Sequence, residues 1–197
     1  MTLDPIATVA LPDQRGRILD AALPLMADGG GHAMSMRSLA SACGLNVATL
    51  YHYFPSKAAL LDAVIAHQNY DALLQYEIPL VDPHLGTRER LAALLDWMWM
   101  KMDEHDLMWK LLLGESLRGE PEAMRQGAEL SDAFEKAIEG WLATFVPDLE
   151  GDRELHARVL RGVVYGVYVE TLPLPVGDRP GLRGARAAEI ASVFVRD

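Results

Sequence analysis

Apolar residues recur three and four positions apart along nearly the whole 197-residue chain. That spacing is the period of an α-helix with one buried face, and no stretch alternates apolar and polar residues as a half-buried strand does. The pattern therefore predicts an all-α protein. Half of the residues are hydrophobic, which is enough to build a buried core in one large domain or two small ones.

The charge of the chain is strongly acidic and unevenly distributed. Twenty-eight acidic residues against 18 basic ones give a formal net charge of −10, which argues against a protein that coats nucleic acid or an anionic membrane through bulk positive charge. Residues 1–57 carry four basic and four acidic side chains, so the whole excess lies in residues 58–197. Any contact with DNA must therefore be local.

Other protein classes are excluded by what the sequence lacks. No apolar run reaches the 18 or more residues of a membrane span, so an integral membrane protein is not expected. The single cysteine, Cys43, cannot form an intramolecular disulfide, and we interpret it as a small buried hydrophobe rather than a redox sensor. No basic residue precedes Arg15, which is unlike a secretory leader. We expect a cytoplasmic protein.

Capping residues and glycines divide the first third of the chain into short helices. The first is predicted from about Asp13 to Asp28, with Pro24 as a local conflict and Gly29 to Gly31 as its end. Ser35 is placed to cap a helix over 36–42, and Asn46 to cap one that ends at Tyr53. Two short helices joined by a turn at Cys43 and Gly44 have the outline of a helix-turn-helix. The residues expected on the buried face of the first helix are Ile18, Ala22, Leu25 and Met26.

The rest of the chain is predicted as longer helices separated by glycine and proline. A long segment over 57–76 is expected to turn Leu60, Leu61, Val64, Ile65, His67 and Leu74 inward. Thr87 is placed to cap the next helix, and Pro121 suits the first turn of another. The predicted helices are 87–103, 106–117, 121–146, 153–172 and, after a loop over 173–184, a last helix over 183–196.

Residues 17–65 carry the most specific motif, RILDAALPLMADGGGHAMSMRSLASACGLNVATLYHYFPSKAALLDAVI. This segment resembles the DNA-binding domain of the TetR/AcrR family of transcriptional regulators. Its sharpest part is TLYHYFPSK, preceded by MRSLA and Gly44-Leu45 at the spacing of the family. The resemblance implies a three-helix helix-turn-helix domain at 13–57, a flexible arm at 1–12 before it, and a helical ligand-binding and dimerisation domain at 58–197. Pro24 and Gly31 depart from the pattern of the family in the first helix.

The residues of this segment suit a recognition helix. The N-terminal end of such a helix enters the major groove, so its side chains must be short enough to allow close approach. Leu50 and Phe54 lie four apart and are expected to face inward. The short side chains at the N-terminal end are Asn46, Val47, Ala48 and Thr49, and the donors that follow are Tyr51, His52 and Tyr53.

Specific DNA contacts follow from the resemblance. It implies that Tyr51, Tyr53 and Lys57 contact phosphate, and that Arg37, Val47, Ala48 and Thr49 face bases. The guanidinium of Arg37 suits the edge of a guanine. The alternative for the two tyrosines is that they are half-buried aromatics bridging two helices. The alternative for His52 is that it only forms a hydrogen bond with a phosphate or a water.

A cluster of tryptophan and methionine marks residues 96–110, DWMWMKMDEHDLMWK. Flexible thioethers beside large aromatic faces suit an adaptable apolar pocket. The candidates for contact with a ligand are Trp97, Met98, Met100, Trp109 and Tyr165. The plainer interpretation is core, because Leu91, Leu94, Leu95, Met98 and Met102 form a buried stripe at helical spacing. Polar groups that would orient a ligand are His67, Gln68, His105, Glu115 and Tyr165; the alternative is that each is a surface residue or a satisfied core residue.

The resemblance also implies that the last two helices pair with their copies in a second subunit as a four-helix bundle. Gly162 and Gly166 would allow close approach of helices. The candidate interface residues are Val159, Gly162, Val163, Gly166, Val169, Ile190, Val193 and Phe194. The alternative is that these residues complete the core of their own subunit.

The sequence holds no sign of metal binding or catalysis. No cluster of His, Cys, Asp or Glu has the spacing of metal ligands, and no nucleophile has an assignable base. We expect no cofactor and no enzyme activity. The leading hypothesis is a homodimeric repressor that releases a palindromic operator on double-stranded DNA when a small, largely apolar effector binds. The alternative is a small-molecule-binding protein with a vestigial helix-turn-helix.

Overall fold

The computed structural model describes residues 13–68 and 78–195, with residues 28–33 described through their backbone alone. The predicted arm at 1–12 and the predicted inward position of Leu74 lie outside these residues. Two compact units divide the chain, Met1–Gln68 and Asn69–Asp197. The expected boundary was at residue 57; the helix that begins there packs on the first helix instead, so it belongs to the first unit.

The described residues fold into nine α-helices and one short 3₁₀ turn, and no strand is found among them. The all-α prediction is confirmed. The helices of the first unit are α1 (Gln14–Ala33), α2 (Met36–Ala42), α3 (Val47–Tyr53) and α4 (Lys57–His67). Those of the second unit are α5 (Thr87–Glu104), α6 (Asp106–Leu117), α7 (Pro121–Phe145), α8 (Arg153–Thr171) and α9 (Arg179–Phe194), with the 3₁₀ turn at Val176–Asp178.

The first helix differs from its prediction at both its end and its face. It continues through Gly29 to Gly31 and ends at Ala33, because a glycine in a helix costs only about 1 kcal/mol relative to alanine and clashes with nothing. Pro24 lies inside it. Ile18, Ala22 and Met26 are buried as expected, but Leu25 is 39% exposed, because it lies at the edge of the buried face on the side away from the buried Leu19.

Short polar caps fix the next three helices. Ser35 and Ser38 form a reciprocal capping box, in which each backbone N–H donates to the hydroxyl of the other serine at 2.9 and 3.0 Å. Gly44 turns the chain at φ +66°, a conformation that favours glycine. Beside it, burial raises the pKa of the Cys43 thiol. This turn gives α2 and α3 the predicted helix-turn-helix connection.

The fourth helix is described only to His67, and the prediction that it continues to Tyr76 falls on residues outside the description. Leu60, Leu61, Val64 and Ile65 are buried as expected. His67 is not inward: its ring is exposed, and Nε2 lies 3.0 Å from Oδ1 of Asp20 in α1. The prediction for His67 was wrong because its ring, in the last turn of α4, contacts the carboxylate of Asp20 instead of the core.

The core of the second unit contains the predicted stripe of α5. Leu91, Leu94, Leu95, Met98 and Met102 are all at most 1% exposed. Trp99 is also fully buried, and its indole Nε1 donates to the carbonyl of Val164 in α8 at 3.0 Å. Thr87 does not cap α5 as predicted: Gly86 is the N-cap, and the Thr87 hydroxyl donates to Asp148 instead.

Two buried arginines of α9 join it to α5, α6 and α8. Arg179 Nη1 donates to Oδ1 of both Asp103 and Asp106 at 2.7 Å. Arg183 donates to Asp103, to the Trp99 carbonyl at 3.0 Å and to the Thr171 hydroxyl at 3.0 Å. Both arginines are 1% exposed. These contacts explain why α9 begins at Arg179, four residues before its predicted start.

Candidate nucleic-acid interface and apolar cavity

The third helix has one anchored side and one exposed side. Leu50 and Phe54 are buried as predicted, and the guanidinium of Arg15 in α1 lies 5.3 Å from the centre of the Phe54 ring. Tyr51, His52 and Tyr53 are exposed between these anchors. Burial of the anchors fixes the register of the helix, so its aromatic donors face solvent. Tyr51 and Tyr53 are 47% and 36% exposed, respectively.

The N-terminus of this helix is capped by Asn46. Its Oδ1 accepts from the Thr49 N–H at 2.7 Å and from the Thr49 hydroxyl at 2.9 Å. Asn46 and Ala48 are exposed, whereas Val47 and Thr49 are partly buried. The end of the helix therefore presents a small, open surface, and its first polar side chains stabilise each other.

The two predicted cationic contacts lie at the starts of the neighbouring helices. Arg37 is the second residue of α2 and is exposed. Lys57 is the first residue of α4 and is partly buried. Next to it, the Ser56 hydroxyl accepts from the Ala59 N–H at 3.0 Å and so caps α4. Both cations therefore lie at helix N-termini, where backbone N–H groups attract anions.

A cavity of about 450 Å³ lies among α6, α7 and α8 in the second unit. That volume is within the usual range of small-molecule sites. Its described lining has no residue with a formal charge. The lining consists of Trp109, Leu112, Leu113, Ser116, Met124, Gly127, Leu130, Ser131, Tyr165, Tyr168 and Val169.

Two of the five predicted ligand contacts, Trp109 and Tyr165, line this cavity, and their ring centres lie 5.5 Å apart. The other three are placed elsewhere. Met98 is core, Met100 is 46% exposed, and Trp97 packs edge-on against Trp141 with ring centres 5.0 Å apart. The local enrichment in tryptophan and methionine indicated the right segment of the chain. Which of its side chains reach the cavity depends on the face of the helix on which each one lies.

Hydroxyl groups form the polar part of the cavity. Arg161 Nη1 donates to the Ser131 hydroxyl at 2.6 Å, and a hydrogen bond joins the side chains of Ser131 and Tyr165. Burial raises the pKa of Tyr165 to about 12, although this hydrogen bond and the charge of Arg161 oppose the rise. Tyr165 is therefore a neutral phenol at any physiological pH.

The serines and the glycine of this lining were not predicted from the sequence. Gly127 and Ser131 lie four apart on α7 and face Ser116 of α6, whose hydroxyl would be 3.6 Å from a Cβ added at Gly127. Small residues at helical spacing on adjacent helices were the available signal for an internal space. Of the other polar candidates, Glu115 is buried and pairs with Arg118 at 2.9 Å, and His105 lies at the junction of α5 and α6.

The predicted interface residues form an exposed stripe on α8. Val159, Gly162, Gly166 and Val169 are exposed, and a Cβ added at either glycine would meet no described atom within 4 Å. On α9, Val193 is 74% exposed. Three members are partly buried, namely Val163, Ile190 and Phe194, and Phe194 packs edge-on against the His156 ring. Among the described residues of the second unit, these positions of α8 therefore form an exposed apolar face.

The described residues bring together no three His, Cys, Asp or Glu side chains that could hold a metal ion. Nor does any helix in the described ranges have the length and apolar character needed to cross a bilayer.

Comparison with known proteins relates the first unit to bacterial regulators. Residues 18–64 match the family model described as bacterial regulatory proteins, tetR family. The HTH-type transcriptional regulator UidR of Escherichia coli K12 is 37% identical over 82 residues, which are 42% of this chain and 41% of UidR. The HTH-type transcriptional repressor KstR of Rhodococcus jostii is 43% identical over 65 residues, which are 33% of this chain and 31% of KstR. The sequence match thus spans about two fifths of UidR and one third of KstR.

A solved structure extends the similarity of fold to both units. Salmonella enterica GusR superposes with a TM-score of 0.70 at 23% identity, covering 97% of this chain and 99% of GusR. At that identity the match concerns the fold. Residues 18–64, which contain the helix-turn-helix of α2 and α3, thus match the tetR family of bacterial regulatory proteins, and the whole chain shares the fold of GusR.

Proposed function

We propose that this chain is a homodimeric transcriptional repressor that binds a palindromic operator and releases it when a small, largely apolar molecule enters the cavity of the second unit. The observation that carries the proposal is the exposed face of α3. Tyr51, His52 and Tyr53 face solvent although the residues on either side of them are buried. Three exposed aromatic side chains in a row suit contact with another molecule better than a free surface.

The chemistry of this face fits the backbone and the major groove of DNA. The phenols, the imidazole and Lys57 are donors of the kind that phosphate oxygens accept. Arg37 has the forked geometry that pairs with guanine, and the open N-terminus of α3, from Asn46 to Thr49, suits close approach to base edges. The similarity to KstR, a transcriptional repressor, supports repression as the mode of regulation.

Dimerisation would bring two such faces to one DNA site. Two-fold symmetric regulators read half-sites about 34–36 Å apart, and the exposed apolar stripe of α8 is the surface that we propose for the second copy. A hundredfold loss of operator affinity on effector binding needs a coupling free energy of only about 2.7 kcal/mol. The cavity among α6, α7 and α8 is the proposed effector site.

Selection of sheared genomic DNA by the purified protein tests the proposal. At moderate salt and without added compounds, we expect enrichment of one or a few palindromic fragments. If a verified dimer that binds compounds in its cavity enriches no fragment, with or without those compounds, the small-molecule-binding alternative replaces the repressor.

Variants of the exposed face test the assigned contacts on the selected fragment. Tyr51→Phe and Lys57→Ala are expected to weaken binding, because each loses a phosphate contact, and Lys57→Ala should also reduce the slope of log affinity against log salt by about 1. Lys136→Ala removes the same charge from an exposed position of α7 and is the matched control. Arg37→Ala should relax preference at one base pair per half-site. Unchanged affinity in both Tyr51→Phe and Lys57→Ala would remove this face from the interface.

The dimer surface is tested by sedimentation equilibrium. Val159→Glu places a charge in the exposed stripe of α8 and is expected to shift the protein toward monomer, because an unpaired charge is costly at a buried interface. Met100→Glu introduces the same charge at an exposed apolar position of α5 outside the stripe. If both variants remain as dimeric as the parent protein, the two copies meet through another surface.

A further inference from the structure

We infer that the cavity among α6, α7 and α8 selects neutral aromatic molecules that carry a hydrogen-bond acceptor, such as an aryl ketone, over cationic and anionic molecules of the same shape. This inference rests on the proposed function, in which the cavity is the effector site. It follows from the charges around the cavity and from a count of protons on its hydroxyl groups.

The walls favour a flat apolar ligand. Trp109, Tyr165 and Tyr168 present aromatic rings to the space, with ring centres 5.5 and 6.3 Å from Trp109 to the two tyrosines. Inclined rings of this kind accept another ring in edge-to-face or offset packing. Leucine and methionine side chains complete the lining, so the main contribution to affinity is the burial of apolar surface.

The surrounding charges disfavour a cation. No described lining residue is acidic, and two guanidinium groups lie directly behind the lining. Arg161 bonds to Ser131 at 2.6 Å, and the Arg183 guanidinium lies 5.9 Å from the centre of the Tyr168 ring. A ligand ammonium would therefore lose its water without gaining a carboxylate in the lining.

An anion is also disfavoured, because both arginines are already partnered. Arg161 Nε lies 3.3 Å from the carboxylate of Glu135, and Arg183 pairs with Asp103. A buried carboxylate ligand would be left with hydroxyl donors alone, and burial of a charge without a charged partner is costly.

The preference for an acceptor follows from the hydroxyl protons of Ser131 and Tyr165. Together they carry two protons, and a hydrogen bond between the two hydroxyls uses at most one of them. Arginine donates and never accepts, so Arg161 takes neither proton. Whichever hydroxyl donates to the other, one O–H remains. Both residues line the cavity, so that remaining donor is available to a ligand.

The same count predicts an unusual pattern among variants. In Tyr165→Phe the hydroxyl proton of Ser131 is not taken by Arg161, because arginine only donates. In Ser131→Ala the Tyr165 hydroxyl loses the serine hydroxyl as its partner. Each single variant therefore keeps one donor for a ligand. Only the double variant Ser131→Ala with Tyr165→Phe removes both donors of this pair.

Equilibrium dialysis of the full chain against four naphthalene derivatives tests the inference. The probes are 2-acetonaphthone, its deoxygenated counterpart 2-ethylnaphthalene, the cation 2-naphthylmethylammonium and the anion 2-naphthoate. We expect 2-acetonaphthone to bind about tenfold more tightly than 2-ethylnaphthalene, the worth of one hydrogen bond in a buried site. Both charged probes should bind more weakly than either neutral one.

The variants then locate the donor. The tenfold advantage of the ketone should persist in both single variants and disappear in the double variant, whose folding is checked by its thermal unfolding curve. Tightest binding by a charged probe, equal binding of the two neutral probes to the parent protein, or no binding of any probe would overturn the inference, and none of these needs a variant. Operator selection is performed without probes, so its failure would be distinguishable from failure here.

Discussion

Asp103 is the residue whose replacement should destabilise the second unit most sharply for the smallest change in shape. Its carboxylate accepts from Arg179 at 2.7 Å and from Arg183, and both arginines are almost fully buried. Asp103→Asn keeps the volume but leaves the two cations with Asp106 as the remaining carboxylate of the cluster. Removing one partner of a buried ion pair typically costs about 3–5 kcal/mol, or a fall in Tm of about 6–20 °C for a chain of this size.

The measurement uses tryptophan fluorescence during thermal and urea unfolding. The four tryptophans of the chain all lie in residues 97–141, so the signal reports on the second unit alone. Glu104→Gln is the matched control: Glu104 is exposed and pairs with Lys101 at 2.8 Å, and such surface pairs contribute about 0–1 kcal/mol. A loss of under 1 kcal/mol in Asp103→Asn, similar to that of the control, would show that solvent screens the cluster and would refute this reasoning.

Two further predictions concern pH and capping. Burial alone would raise the pKa of Asp106, but hydrogen bonds from Lys110, Arg179 and Tyr168 lower it below its ordinary value of 3.8; its stabilisation is therefore present above that value and lost as the pH falls through the lowered pKa. Urea unfolding at pH 3 and pH 6 should show a smaller difference in Asp106→Asn than in the parent protein, and an equal difference would contradict the assignment. Asn46→Ala should cost about 0.5–2 kcal/mol and speed amide exchange at Thr49, whereas Asn46→Asp should keep the cap; unchanged exchange in the alanine variant would count against it.

The helix-turn-helix of the first unit was predictable because its signals are local. Ser35, Asn46 and Gly44 act within three or four residues of their own positions, so cap, turn and helix could be deduced from neighbouring letters. The start of α9 was not predictable in this way. Pro180 and Gly181 favour a loop by local preference, and α9 forms through them because Arg179 and Arg183 bond to Asp103 and Asp106, more than 70 residues earlier.

The cavity shows the same limit. Trp97 and Trp109 belong to one enriched segment, yet Trp97 packs on Trp141 and Trp109 lines the cavity. Composition reports which residues are near in sequence, whereas a cavity depends on the rotation of each helix against its neighbours. That rotation is set by interlocking side chains over the whole unit.

The side chains on the two sides of the cavity differ in how easily they can move. On one side, the Tyr168 hydroxyl donates to Asp106 Oδ1 at 2.9 Å, and the same oxygen accepts from Arg179, so moving this ring would break bonds within a buried ionic cluster. On the other side, Met124 is 55% exposed, its thioether has several accessible rotamers, and the chain turns at Gly119 just before α7. If the cavity is the effector site, as proposed, we expect it to accommodate homologous ligands of increasing length toward Met124 and to reject added bulk toward Tyr168.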